Sequence, residues 1–153
     1  MYLHFLTRAE KNKILEQLNE QFGIEKLPYL LVRLGKDKIR AYSGNLSREE
    51  LSALARAVNI ELAGIYLCRI EQNQVRISHD AVSLLKNQIS KNIVNLTDHE
   101  ASEWLHGQDI ELPNEIKEKG FVIVKHKDYI IGAGKSNGKI IFNFVPKERR
   151  IKN

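Results

Sequence analysis

Lys125, Lys127, Lys135, Lys139, Lys147, Arg149, Arg150 and Lys152 crowd the end of this chain, opposed between residues 120 and 153 only by Asp128 and Glu148. That segment carries a net +6, whereas the residues before it hold 16 basic and 17 acidic side chains. The formal charge of +5 therefore originates entirely in the final segment. Side chains of this kind at this density attract polyanions and neutralise phosphates, which is binding chemistry rather than bond-making chemistry. A bland reading is also available, since lysine on an exposed strand protects an edge from aggregation, but it accounts for one or two of these residues better than for eight.

Other chemistries are thinly supported. Gly132-Ala133-Gly134-Lys135-Ser136 resembles the end of a phosphate-binding P-loop, yet position 129 is Tyr where that loop needs its first Gly, and Asn137-Gly138 follows where it needs a helix. Gly132 and Gly134 instead leave one side of a strand bare, as at a bulge or where another group comes close in a tightly bent barrel. His4, His79, His99, His106 and His126 lack metal-ligand spacing, and Asp98, Asp109 and Asp128 fall at turn or cap positions. The single cysteine, Cys68, cannot form an internal disulfide and fits a reducing compartment. No Gly-rich strand-to-helix loop offers a site for S-adenosylmethionine or a dinucleotide. No cofactor, no metal and no catalytic residue is expected, so the chain reads as a non-enzyme.

The basic residues need a scaffold, and strand signals supply it. Residues 121–126, 129–134 and 139–145 are rich in β-branched and aromatic side chains, and Asn137-Gly138 tolerates the positive φ of a tight turn. Along the last strand Ile140, Phe142 and Phe144 share one face, so the phenylalanines are expected inside, with Lys139 and Asn143 outside. Tyr129 is expected to pack in the barrel, with base stacking as its alternative.

Upstream, Thr7 with Glu10 forms a capping box ahead of a stripe of Ile14, Leu15, Leu18 and Phe22, and Gly23 stops the helix. Residues 29–34 and 38–42 read as a hairpin. Ser47 with Glu50 caps a second helix that should bury Leu51, Leu54, Ala55 and Val58. Residues 64–71 and 74–78 form a second hairpin, followed by a helix over 81–89. After a boundary near 90–92 come a strand at 93–96 and a third capping box, Thr97 with Glu100. It opens a short helix that turns Ala101, Trp104 and Leu105 to the core. Residues 108–119 are expected to be a connecting loop. The fold class is α+β: an N-terminal antiparallel sheet with helices over 1–90, then a small mixed β pseudobarrel over 91–153, packed together without a flexible linker. No apolar run is long enough to span a membrane, and the opening residues do not make a signal peptide.

The spacing Thr97-x-x-Glu100-x-x-x-Trp104-Leu105-x-Gly107-x-Asp109-Ile110, followed by Gly120-Phe121-Val122-Ile123-Val124 and the Gly132-x-Gly134 strand, resembles a PUA domain, a small RNA-binding pseudobarrel. The ending from Asn143 to Arg150 is similar to PUA-like tails on archaeal RNA-modification proteins. In the first half, Leu6-Thr7, the run 62–68, and Val75-Arg76-Ile77-Ser78-His79-Asp80-Ala81 with Leu84-Leu85 resemble the pre-PUA domain of ribosome-biogenesis factors of the NIP-seven type. The compact second half and the basic ending point to an archaeal relative.

This resemblance implies a cytoplasmic accessory factor in biogenesis of the large ribosomal subunit or rRNA processing. Its partners would be RNA, expected to be rRNA, and assembly proteins bound through the first domain, with no membrane. Lys125, Lys135, Lys139, Lys147, Arg149 and Arg150 are then the expected RNA-binding residues. The arginines would additionally grip phosphate bidentately or stack on unpaired bases. Arg33, Arg40, Arg69 and Arg76 in the first half form the reserve set. The alternative is a non-catalytic targeting subunit for a separate RNA-modifying enzyme such as a 5-methylcytosine methyltransferase. A protein-interaction adaptor whose basic face is incidental is a third, weaker reading.

Overall fold

A computed structural model describes residues 3–153. In chain order the first half contains β1 (His4–Phe5), α1 (Arg8–Phe22), β2 (Leu30–Leu34), β3 (Lys38–Tyr42), α2 (Arg48–Ala57), β4 (Ile65–Glu71), β5 (Gln74–Ile77) and α3 (His79–Leu85). A 3-10 turn at Lys86–Gln88 leads to β6 (Ile93–Asn95), α4 (Asp98–Leu105), β7 (Ile110–Glu111), β8 (Gly120–His126), β9 (Tyr129–Ser136) and β10 (Ile140–Asn143), and a second 3-10 turn, Lys147–Arg149, follows. The architecture is α+β, with two five-stranded sheets. One is antiparallel in the order β1-β2-β3-β4-β5, and the other is mixed and curled in the order β6-β8-β9-β10-β7.

All three capping boxes form. Thr7, Ser47 and Thr97 hydroxyls accept from the backbone N–H of Glu10, Glu50 and Glu100 at 3.2, 3.1 and 3.3 Å. The three carboxylates accept in return at 2.8, 2.7 and 2.9 Å. Each box satisfies two donors that a helix start leaves unpaired. The mixed character of the second sheet comes from β6, which runs parallel to β8 and therefore needs the crossover that α4 provides.

Three expectations are corrected. The third helix starts at His79, capped by Ser78, and tightens into a 3-10 turn at Lys86 rather than running to 89. The loop over 108–119 contains a strand, β7, whose two residues pair with Ile140 and Ile141. In α2 only Leu51 is buried, while Leu54 is 42% exposed and Val58, just past the helix, 52%, because among the described residues no element covers that side.

One core crosses between the sheets. Ile14, Leu18 and Phe22 of α1 meet Ile39, Leu67 and Val75 of the first sheet, and the same cluster takes in Phe121, Ile123 and Ala133 of the second. α3 lies against both β4 and β9. Residues 90–92 are clamped where the halves join: Ser90 N–H donates to Phe22 O at 2.8 Å, and the Asn92 side-chain amide donates to Gln21 O at 2.5 Å. No helix among the described residues is long and apolar enough to cross a membrane.

Candidate nucleic-acid interface

Trp104 organises the second sheet. Its indole is fully buried, and Nε1 donates to Ile131 O at 3.1 Å. It lies on the bare side of β9: a Cβ added at Gly132 would stand 3.0 Å from Nε1, and one at Gly134 2.7 Å from Cη2. The glycine pair thus makes room for an indole. The bulge expected there is present, since the β8–β9 register shifts between Val124 and Lys125 and leaves Ile131 without a partner.

The last strand follows the expectation at its ends, where Lys139 is exposed and Phe144 packs against the core, and departs from it between them. Ile141 is fully buried against the Trp104 cluster, whereas Phe142 is 40% exposed. Asn143 can share the inner face with Ile141 because its side chain is saturated. Its amide donates to Trp104 O at 2.8 Å and Gln108 O at 2.9 Å, and its carbonyl accepts from Val145 N–H at 2.8 Å. Tyr129 is 73% exposed at the head of β9 instead of packed in the barrel. A ring so placed has a face free for stacking.

The six expected RNA-binding residues do not form one cluster. Lys125 opens on a cleft with Lys86, Ile93 and Tyr129 near the start of β9. Lys139 follows the Asn137-Gly138 turn past the other end of that strand, roughly 20 Å away at a strand's rise per residue. Lys147 is exposed in the second 3-10 turn. Arg149 pairs with Asp80 at 3.1 Å in a solvent-exposed contact, worth about 0–1 kcal/mol. Arg150 is committed to the fold: Nε donates to Val145 O at 2.9 Å, and its side chain lies over Gly107.

Lys135 leads to a feature absent from the sequence-based expectations. Its ammonium stands 5.2 Å from the centre of the Phe121 ring, and the Phe121 and Phe144 rings are 6.3 Å apart and tilted. The Arg76 guanidinium then covers Phe144 at 3.9 Å. This alternation of cation and ring passes from β9 of the second sheet to β5 of the first, giving cation–π contacts at both ends. Beyond Arg76, a cleft of about 440 Å³ is lined by Lys38, Tyr66, Arg69, His79, Phe144 and Pro146, among others. The reserve arginines 69 and 76 meet here. Arg33 is instead paired with Glu10, and Arg40 is bonded to Gly64 O at 2.7 Å.

Two groups beside the cleft have displaced proton affinities. Burial pushes the Glu71 carboxyl up, but hydrogen bonds and charge from Arg76 and Arg69 outweigh it and hold the group below the usual carboxylate range. Burial pushes His79 below the ordinary imidazole value, favouring the neutral ring. Among the described residues no group of three or more His, Cys, Asp or Glu side chains could hold a metal ion.

Comparison with known proteins bears on this arrangement. Residues 91–151 match the family model described as the methyltransferase RsmF PUA domain. These residues form a PUA-type domain. The chain is also similar to proteins named ribosomal RNA small subunit methyltransferase F, with 29% identity to that of Photobacterium profundum over 92% of this chain and 27% to that of Vibrio parahaemolyticus over 93%. It spans less than a third of the length of these relatives, 28% and 30% respectively. Among solved structures, a hypothetical protein of the archaeon Pyrococcus horikoshii has the same fold, with a TM-score of 0.56, 13% identity and 93% of each chain covered.

Proposed function

We propose that this chain is a non-catalytic RNA-binding unit that presents ribosomal RNA to a methyltransferase catalytic domain, with small-subunit RNA the substrate class and 5-methylcytosine formation the reaction served. The observation that carries this reading is the extent of the similarity to methyltransferase F, which covers both halves of the chain and not the PUA-type domain alone. The first half resembles a ribosome-assembly factor of the NIP-seven type, and the match to methyltransferase F that also runs through it supports the targeting reading in its place. The cations that stand beside aromatic rings agree with a binding role. Cytoplasmic localisation belongs to the same reading.

The test is RNA binding followed by fluorescence anisotropy across a salt series, together with co-purification. About six phosphates contacted on a single strand give a log-log slope near −4. Recovery of an RNA methyltransferase with the chain supports the targeting role, and recovery of large-subunit precursors restores the assembly factor. Absence of RNA affinity at physiological salt leaves the protein-interaction adaptor.

A further inference from the structure

The first sheet holds three cations in one line. Register pairs Lys38 of β3 with Arg69 of β4, and Arg69 with Arg76 of β5, so like charges stand directly opposite one another across three adjacent strands. Such pairs oppose sheet formation unless an anion lies between them. Among the described residues the carboxylate within ion-pair distance of the two arginines is Glu71, which bonds Arg76 at 3.2 Å and also contacts Arg69, while Asp80 and Glu148 stand elsewhere on the cleft wall. Glu71 is thus shared by two arginines, and Lys38 has no ion pair among the described residues. Arg69 Nε is buried and has no partner among the described residues, a donor left without an acceptor. The same three cations line the cleft in which the Tyr66 and Phe144 rings stand.

We propose that this row and its cleft bind a phosphodiester of an RNA strand that continues from the second sheet across the seam onto the first, with the two rings available to an unstacked base. The inference rests on the RNA-binding reading above and extends it to a second, separately testable site. Its physical content is that three cations face one another with Glu71 shared between two of them, and a phosphate reaching the exposed ends of Lys38 and Arg69 supplies the further negative charge. The Lys135–Phe121–Phe144–Arg76 alternation marks the route between the two sheets.

Three proteins are compared by anisotropy with a single-stranded RNA oligonucleotide: the intact chain, the double variant Lys38→Ala/Arg69→Ala, and Glu71→Gln. The double variant is expected to bind about tenfold or more weakly. Its salt slope should flatten by about 1.4. Glu71→Gln releases both arginines from their internal partner and is expected to tighten binding about two- to fivefold. That increase is a result a merely structural Glu71 would not produce, and it holds even if the double variant folds poorly. A double variant that binds like the intact chain overturns the inference while leaving the RNA-binding reading standing. Weakening in the double variant without tightening in Glu71→Gln assigns the effect to disturbed folding and overturns it too. Inorganic phosphate or adenosine monophosphate binding saturably in the cleft without competition from RNA would assign it to a free small anion. If the intact chain binds no RNA, both readings fall.

Discussion

The tail and the first sheet carry positive charge in different ways. Between 147 and 152 the tail has four cations and one carboxylate, the densest charge in the chain, yet Arg150 is bonded to Val145 O and Arg149 is paired with Asp80. The first half carries its charge more sparsely, a net +3 over residues 1–90, yet Lys38, Arg69 and Arg76 stand in a row in which the two arginines share one paired carboxylate. Net charge over a segment sets long-range attraction, whereas the charges left uncompensated at contact distance depend on how the strands are registered. Arg150, bonded to Val145 O and laid over Gly107, is poorly free to hold a ligand, whereas the exposed pair restrains Arg149 little.

Substitutions can break this contrast, and the largest effect is expected at Arg76. Arg76→Ala removes both the guanidinium over Phe144 and a bond to Glu71, and should lower unfolding free energy by about 1–2 kcal/mol in urea melts while weakening RNA binding about tenfold. Arg76→Lys keeps the charge without the plane, so the salt slope should recover while affinity recovers only in part. Next, Arg150→Ala should cost about 1 kcal/mol of stability and leave the salt slope unchanged, which would confirm that this tail arginine is structural. Lys147→Ala should do the reverse, flattening the slope by about 0.7 at constant urea midpoint.

Acidification sharpens the comparison least. The folded state holds His79 below its unfolded value of 6.5, so its contribution is complete above pH 6.5 and is lost as pH falls through the lower folded value. Stability measured against pH should decline on the acid side, and His79→Gln should reduce the part of that decline below pH 6.5. An equal decline in the variant would remove His79 from the account.

Features governed by local sequence were legible before the structure. Thr7, Ser47 and Thr97 specify helix starts through bonds closed within three residues, and the bare side of Gly132 and Gly134 signalled a close neighbour. Pairing-dependent features were not. β1 and β7 have two residues each, too few for periodicity to show, and exist because β2 and β10 offer them partners. The exposure of Leu54 and Val58 reflects the absence of a covering element among the described residues, which the helix's own apolar spacing cannot reveal. Tyr129 and Phe142 were misplaced because small curled sheets turn some apolar side chains outward. The cation row depends on register across two strand pairs, including an irregularity between Ile39 and Arg40. Arg69 and Arg76 could be singled out as cations from sequence, but their alignment could not.

Trp104 is the only tryptophan, and its indole is enclosed by Gly132 and Gly134 with its N–H held by Ile131. Ultraviolet emission excited at the red edge of protein absorption therefore comes from the second sheet alone and shifts to longer wavelength when that half admits water. Circular dichroism at the helix band comes mostly from α1, α2 and α3 in the first half, with α4 the smaller share. The molecule thus carries an intrinsic two-channel readout: because Leu18 and Phe22 share a core with Phe121 and Ile123, the two signals should change at one denaturant midpoint, and any separation would measure how loosely the halves are coupled.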